Sequence, residues 1–204
     1  MADQPPLLVL ASGSATRRAL LEAAGIAVSV QPADVDEAAL RDAMVAADEG
    51  VSHESVARVL AEEKAKAVSA LKPDALVIGA DQVLSFEGRL FEKPKSVDEA
   101  HAHLMTLRGR THALHSAVAL ATQGAVVWQD TRTARLTMRE FSGAALDEYL
   151  ARAGEAVLTS VGAYQIEGPA VQLFEDVEGD HTTILGLPLL PLLKELRRRE
   201  VLTS

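Results

Sequence analysis

The sequence predicts an α/β domain with a mixed β-sheet flanked by helices. Short apolar runs of strand length alternate along the chain with segments of helical period, and no repeat, low-complexity stretch or linker separates them. The chain has 204 residues, which is enough for one sizeable core without disulfides or metal. We therefore expect one domain that covers residues 1–204.

The first elements are a strand, a tight loop and a helix. Leu7–Ala11 is a continuous apolar run, and Ser12-Gly13-Ser14 ends it. A helix is expected over Arg17–Ala24, where Leu20 and Leu21 have helical spacing. The loop Ser12-Gly13-Ser14 therefore places two hydroxyl groups next to the N-terminus of the helix.

A long helix and a buried strand are expected next. Apolar residues keep a 3.6-residue period over Ser52–Leu71, and Lys72-Pro73 ends that helix. Ala75–Ala80 is apolar throughout and is predicted to be a strand that delivers Asp81 at its end. Val83–Leu90 then has the pattern of a hairpin with its turn at Glu87-Gly88.

The second half of the chain continues the alternation. A helix is expected over Ser96–Leu107, with Ser96 as its cap and Glu99 at the capping-box position. The strands Thr111–Ala121 and Ala125–Met138 are expected to form a hairpin around Gln123-Gly124. Two further helices are expected, over Ser142–Ala151 and over Leu187–Val201, the second with Pro188 in its first turn.

Composition excludes several classes of protein. The formal net charge is −9, and residues 34–63 contain nine acidic residues against Arg41 and Arg58, so long nucleic acid is not expected as a partner. The absence of cysteine excludes disulfide scaffolds and thiol chemistry. The residues Met1–Pro6 lack the basic region of a signal peptide, and no apolar run approaches a membrane span. We expect a cytoplasmic protein.

The loop Ser12-Gly13-Ser14 and the following Arg17 and Arg18 form the first candidate site. Hydroxyl groups, backbone N–H groups and the positive end of a helix attract phosphate. The segment is neither a Walker A loop nor a dinucleotide fingerprint. An ordinary helix cap with a solvated arginine explains the same residues, and the segment alone does not decide between the two.

Asp81 is the second candidate, because carboxyl ends of strands in α/β proteins present ligand-binding groups. Its carboxylate could hold Mg²⁺ or orient an attacking water, or merely cap a turn. Lys64 and Lys93 could supply charges for phosphates. The acidic stretch could be a solvated face, or Asp36-Glu37 at the end of an extended segment could offer a second carboxylate for a hard metal ion. The six histidines lack metal-binding spacing and are expected to be structural or superficial.

Seven short blocks, in order, resemble the Maf family of nucleoside triphosphate pyrophosphatases. The resemblance extends from Leu7 to the last predicted helix, and the combination is highly specific although each block alone is weak. The blocks are Ala11–Leu21, Val35–Glu37, Glu63–Ala65, Ile78–Gln82, Glu92–Pro94, Gly162–Gly168 and Leu185–Leu189.

The resemblance implies an elongated, twisted mixed sheet, an active-site cleft between two lobes, and cleavage between the α- and β-phosphates of a nucleotide. It implies a divalent cation (Mg²⁺ or Mn²⁺), a cytoplasmic location and usually a homodimer. Asp81 corresponds to the catalytic base, and Glu37 to an acidic residue near the metal, for which Asp81 is also a candidate ligand. The positions that correspond to triphosphate contacts are Ser12, Ser14, Arg17, Lys64 and Lys93.

Three positions distinguish branches of the family, and here they are Thr16, Gln82 and Glu167. The resemblance implies Arg, Thr and Gln for dTTP/UTP enzymes, and Trp, Gln and Glu for 7-methyl-GTP enzymes. Two of three match the second branch, and a carboxylate at Glu167 suits the donor edge of guanine. Thr16 departs from it, since threonine cannot stack on a methylated base. A dTTP/UTP pyrophosphatase and a nucleotide-binding regulator of septum formation remain alternatives.

Overall fold

The structure is a computed structural model, which describes residues 6–203. These residues form seven strands and seven α-helices, and three short 3₁₀ turns lie between residues 154 and 173. The strands are β1 (Leu7–Leu10), β2 (Ser29–Val30), β3 (Ala75–Phe86), β4 (Arg89–Phe91), β5 (Thr111–Thr122), β6 (Ala125–Met138) and β7 (Phe174–Glu178). The helices are α1 (Ala15–Ala23), α2 (Glu37–Ala47), α3 (His53–Leu71), α4 (Val97–Leu107), α5 (Gly143–Ala153), α6 (His181–Ile184) and α7 (Leu189–Arg198).

The sheet is mixed, as the sequence predicts. Its strand order is β2-β1-β3-β5-β6-β7, and β4 also pairs with β3. β1 is parallel to both β2 and β3, whereas β3 with β4 and β6 with β7 are antiparallel. No helix among the described residues is long and apolar enough to cross a membrane. The predicted absence of a signal peptide concerns Met1–Pro6, of which residues 1–5 lie outside the described part.

The described residues group into two compact units. The first contains the chain up to Gln82, Ser116–Arg132 and the chain from Asp180 on, and the second contains Val83–His115 and Thr133–Gly179. β3, β5 and β6 therefore contribute residues to both units.

In the first unit, β1 and β3 are covered on both faces. Leu8 and Leu10 of β1 belong to an apolar cluster with residues of α1 and α7, whereas Val9 packs on the opposite face with Val68 of α3. Strands buried on both faces have continuous apolar sequences, which is why Leu7–Ala11 and Ala75–Ala80 are apolar throughout. The two parallel strands are thereby fixed between helical layers.

Helix α3 lies close against β3 at Gly79. A Cβ atom on Gly79 would lie 2.2 Å from the carbonyl oxygen of Ala61 and 2.7 Å from the backbone nitrogen of Ala65. Only glycine permits this approach, and it brings Lys64, which lies between those two residues on α3, to the strand that carries Asp81.

The second unit packs α4 against α5 and against the 3₁₀ turns that follow α5. His112 of β5 is buried there beside Tyr164 and Phe174, with ring centroids 5.5 and 6.1 Å away. Gly162 has a φ of 79°, and its Cβ would lie 2.6 Å from Leu84 Cδ1. Here a left-handed backbone conformation and close packing both require glycine.

Most predicted elements are confirmed within a few residues. The predicted cap Ser96 accepts a hydrogen bond from the backbone of its helix. Three further serines cap their helices in the same way: Ser14, Ser52 and Ser142. Glu99 also reaches back as expected of a capping box, but it accepts from the N–H of Lys95 and not from that of Ser96. The last helix is shorter than predicted and begins after Pro188.

The prediction that a strand ends at Asp81 is wrong. β3 continues to Phe86, so Asp81 and Gln82 lie in its middle. Both polar side chains have partners inside the protein, and the apolar residues Val83, Leu84 and Phe86 are buried beyond them. A polar pair with internal partners need not end a strand.

Several short elements were not predicted. They are the strands β2 and β7, the helices α2 and α6 and the 3₁₀ turns. Glu37 begins α2, and Asp36 is the cap of that helix.

Candidate active site

The loop between β1 and α1 is ordered by its own serine side chains. Ser14 caps α1, since its Oγ accepts a hydrogen bond from the N–H of Arg17. The buried Ser12 Oγ accepts two hydrogen bonds, from the N–H of Ser14 at 3.3 Å and from Nη1 of Arg17 at 3.1 Å. The cap interpretation of this segment is therefore correct for Ser14, while Ser12 keeps a hydroxyl hydrogen to donate.

Arg17 connects three parts of the first unit. Its Nε donates to the carbonyl oxygen of Gly186 at 2.8 Å, and its Nη1 donates to that of Ala80 at 2.9 Å as well as to Ser12. Burial lowers the pKa of Arg17, and the charges of Asp81 and Glu37 oppose that change. Arginine remains protonated at neutral pH, so the loop, the strand and the Gly186 turn surround a fixed positive charge.

Lys64 lies between two carboxylates. Its Nζ is 2.6 Å from Oδ1 of Asp81 and 2.8 Å from Oε1 of Glu37. Asp81 is only 5% exposed, whereas 43% of the Glu37 side chain is exposed. We call these three residues the lysine–carboxylate cluster.

Two effects act on the pKa of Asp81. Burial raises it above its ordinary value, because a carboxylate that leaves water loses hydration, and the charges of Lys64 and Arg17 lower it in part. The rise prevails, so this carboxylate binds a proton more readily than an exposed aspartate does. A raised pKa at a buried carboxylate beside cations is typical of functional sites.

Unused donors remain in this arrangement. Within residues 6–203 no hydrogen bond is formed by Nη2 of Arg17 or by the third N–H of Lys64. Both groups can therefore donate to an anion. Cationic N–H groups of this kind bind phosphate oxygens.

The donor set of the cluster fits a magnesium-type ion. Mg²⁺ in proteins is commonly bound by one or two carboxylates together with substrate phosphates and water, and Asp81 and Glu37 are two such carboxylates. Among residues 6–203 no group of three or more His, Cys, Asp or Glu side chains could hold a metal ion by itself. A metal ion held by Asp81 and Glu37 would take its further ligands from water or from a substrate.

Three further predicted site residues lie outside this group: Thr16, Lys93 and Glu167. Thr16 is half-buried in the first turn of α1, in the first unit. Lys93 and Glu167 are exposed residues of the second unit, and the described residues provide neither side chain with a hydrogen bond or ion pair. The first unit by itself brings together Ser12, Arg17 and the lysine–carboxylate cluster.

Sequence reasoning did not assign the backbone and hydroxyl groups that orient the charged side chains. The carbonyl groups of Ala80 and Gly186 hold Arg17, and Ser116 contacts Gln82 from β5. The block Leu185–Leu189 was the available signal, since it includes Gly186, but a carbonyl group has no residue type that a pattern could detect.

Fold and cluster together define an α/β protein with a mixed sheet and a buried aspartate that is paired with a lysine beside an arginine. Within that class the chain belongs to the Maf family: the family profile described as Maf-like protein matches residues 7–199.

Named relatives cover nearly the whole chain. It is 51% identical over 192 residues to the 7-methyl-GTP pyrophosphatase of Rhizobium meliloti (strain 1021), and the matched residues cover 94% of this chain and 96% of that protein. It is 52% identical to the protein of the same name in Mesorhizobium japonicum, over 93% and 94% of the two chains. It is 50% identical to the nucleoside triphosphate pyrophosphatase of Gluconobacter oxydans (strain 621H), over 97% of each chain.

Proposed function

We propose that this chain is a nucleoside triphosphate pyrophosphatase, a hydrolase that cleaves the α–β phosphoanhydride bond and releases a nucleoside monophosphate and pyrophosphate. The observation that carries the proposal is the buried Asp81, paired with Lys64 beside the fixed guanidinium of Arg17. The names of the relatives support it, since all three are pyrophosphatases and two are named for 7-methyl-GTP.

In the proposed reaction Asp81 is the general base. Its carboxylate accepts a proton from water while the water oxygen bonds to the α-phosphorus. The bond from that phosphorus to the bridging oxygen breaks, and pyrophosphate leaves with the electron pair. Burial raises the pKa of Asp81, which makes the ionised carboxylate a stronger base than an exposed aspartate. Asp81 as a metal ligand is the other role that the same carboxylate allows.

The free donors of Arg17 and Lys64 act on the phosphates. Negative charge moves to the leaving pyrophosphate in the transition state, and oriented cationic donors stabilise it there. Ser12, Ser14 and Lys93 are proposed as further contacts of the triphosphate. The lysine–carboxylate cluster contains two carboxyl groups and one ammonium group, and this composition favours the participation of a divalent cation.

Asp81 and Glu37 are the proposed ligands of that cation, Mg²⁺ or Mn²⁺. When bound, it would neutralise charge on the phosphates and polarise their bonds. We expect a chelator to abolish turnover and added Mg²⁺ to restore it. Glu37→Gln is expected to raise the Mg²⁺ concentration at half-maximal activity about tenfold. The matched control is Glu63→Gln, which removes a carboxylate that pairs with Lys66 on α3; an equal shift there would contradict the assignment.

The proposed substrate is 7-methyl-GTP or a related guanine nucleotide. The exposed carboxylate of Glu167 can accept hydrogen bonds from N1–H and the amino group of guanine. The names of two relatives point to the same base. Thr16, in the first turn of α1, is a second residue proposed to face the base. A homodimer and a cytoplasmic location remain predictions of the family resemblance.

A nucleotide panel tests the function. 7-methyl-GTP, GTP, UTP, CTP and dTTP are compared with product identification, and we expect pyrophosphate from the guanine nucleotides. Asp81→Asn should reduce kcat about 10²- to 10⁴-fold. Asp130→Asn, which changes an aspartate paired with Arg132, should retain activity. Orthophosphate as the product, binding without turnover, or a strong preference for UTP or dTTP would each contradict a stated part of the proposal.

A further inference from the structure

The amide nitrogen of Gln82 is committed to contacts within the protein. Nε2 lies 3.0 Å from Oγ of Ser116, 3.2 Å from the carbonyl oxygen of Thr183 and 2.9 Å from that of Ile184. Carbonyl oxygens only accept, so the nitrogen and not the oxygen of the amide faces them. The two N–H groups of the Gln82 amide are shared among these three acceptors, so neither N–H group is left to donate to a ligand.

A second side chain holds the same backbone. Ser116 Oγ donates to the carbonyl oxygen of Thr183 at 2.7 Å, and Ser116 is buried. That carbonyl oxygen also accepts the N–H of Gly186 at 3.0 Å, which closes the turn Thr183–Gly186. Gln82 and Ser116 therefore fix one end of a four-residue turn to the sheet.

The other end of this turn holds Arg17. The carbonyl oxygen of Gly186 accepts from Nε of Arg17 at 2.8 Å. Gly186 has a φ of 93°, and a Cβ atom there would lie 3.4 Å from Nε and Nη2 of Arg17 and 3.5 Å from Oε1 of Gln82. The guanidinium and the amide thus lie against the same glycine.

We propose that Gln82 is a positioning residue that orients the guanidinium of Arg17 through the turn Thr183–Gly186. The identity of the substrate in this proposal rests on the proposed function. The contact between the turn and Arg17 does not depend on it. A site that must place Nη2 against a phosphate gains from a guanidinium fixed in advance, because less ordering is left for the moment of binding.

The first test needs no substrate. NMR follows the exchange of the Arg17 Nε–H with solvent in the free protein, in the wild type, Gln82→Met and Ser69→Ala. Ser69 is the matched control, since its hydroxyl is also buried and accepts from the N–H of Gly124, away from the turn. We expect Gln82→Met to accelerate this exchange about tenfold and Ser69→Ala to leave it unchanged. Unchanged exchange in Gln82→Met would overturn the proposal.

The second test separates phosphate binding from base reading. Inorganic tripolyphosphate has no base, and its affinity with Mg²⁺ is measured by calorimetry. We expect Gln82→Met to weaken it about tenfold, and to lower kcat/KM by one common factor for 7-methyl-GTP, GTP and UTP. Unchanged tripolyphosphate affinity with altered selectivity among the nucleotides would identify Gln82 as a base reader.

Two further variants keep the test decisive. Ser116→Ala leaves the Gln82 side chain in place and removes one support of the turn, so we expect the same direction of change in exchange and in tripolyphosphate affinity, with unchanged selectivity.

In an Arg17→Met background, Gln82→Met should cost no further tripolyphosphate affinity, since both act through one group; fully additive losses would contradict this. If no nucleotide is turned over, the proposed function fails, while exchange and tripolyphosphate binding still decide the role of Gln82.

Discussion

At the scale of single residues, burial and charge act on Lys64, Asp81 and His112 in ways that residue type alone does not reveal. The sequence predicted Lys64 as a phosphate contact and Asp81 as a base, but not that Lys64 lies against both Asp81 and Glu37. Glu37 and Asp81 are distant along the chain, so no spacing rule relates them. Their meeting depends on where α2 and α3 lie on the sheet, which is a property of packing.

Removal of the Lys64 charge should move the pH dependence of activity. The ammonium lowers the pKa of Asp81 by its charge and by its hydrogen bond, so Lys64→Met raises that pKa further. Since a base must be ionised, the acid limb of kcat/KM should shift to higher pH, by about 1 to 3 pH units. The control is Lys66→Met, which removes a lysine that pairs with Glu63 on the same helix. An acid limb that stays in place in Lys64→Met would show that Asp81 is not the titrating base.

His112 should make the stability of the protein depend on pH. Burial lowers its pKa from 6.5 to about 4. Between those values the unfolded chain binds a proton that the folded chain does not, so stability is complete above about pH 6.5 and falls as the pH decreases toward 4. The loss approaches about 3 kcal/mol.

Urea unfolding of the wild type, His112→Gln and Tyr164→Phe at pH 7.5, 5.5 and 4.5 measures this effect. His112→Gln should lose much of the pH dependence. Tyr164→Phe removes the hydroxyl that lies 2.6 Å from His112 Nε2 but leaves the imidazole buried, so the pH dependence should persist at lower overall stability. Equal pH slopes for the wild type and His112→Gln would exclude His112 as the cause.

At the scale of elements, prediction succeeded where a local signal exists. Serine caps and the Gln123-Gly124 turn need only neighbouring residues, so the ends of α3, α4 and β5 lie close to their predicted positions. β3 was predicted too short because the partners of Asp81 and Gln82 come from α3, β5 and the Thr183–Gly186 turn, far away in sequence. The 3₁₀ turns between 154 and 173 are too short for a period to be visible.

The contact of α3 with β3 at Gly79 should be essential to both stability and activity. Gly79→Ala inserts a Cβ 2.2 Å from the carbonyl oxygen of Ala61, so the helix must move away from the strand. We expect a loss of about 3 kcal/mol in the free energy of unfolding, together with reduced kcat because Lys64 moves with the helix. Gly143→Ala is the control: its Cβ meets no atom within 4 Å, and it begins a helix. Denaturant unfolding and turnover are compared, and a Gly79→Ala protein of normal stability would contradict this packing.

At the scale of the whole molecule, a net charge of −9 does not exclude a small anion at the proposed site, because the cationic donors of that site act at contact distance. One acid of the acidic segment, Glu37, itself contacts Lys64. The acidic excess is concentrated in residues 34–63, on the approach to α2 and along α2 and the first half of α3. Exposed charges farther apart than about 8 to 10 Å are largely screened by salt at physiological strength. The unused donors of Arg17 and Lys64 would contact a bound phosphate directly, so salt would screen their attraction much less.

Binding of a nucleotide without binding of a nucleic acid polymer is therefore the expected behaviour. A polymer must be neutralised by several cations spread over a surface, and here surface cations already pair with acids of their own helix: Arg18 with Glu22, Arg58 with Glu62 and Lys66 with Glu63. A fluorescent 20-nucleotide DNA or RNA strand should show no change in anisotropy at micromolar protein and about 0.15 M salt. In the same buffer with Mg²⁺, 7-methyl-GTP should be hydrolysed, and excess unlabelled strand should not inhibit that turnover. If the strand bound and its affinity fell steeply with salt, or if it inhibited turnover, the prediction would be wrong. Either result would show that the protein has a cationic surface that is not neutralised by these ion pairs.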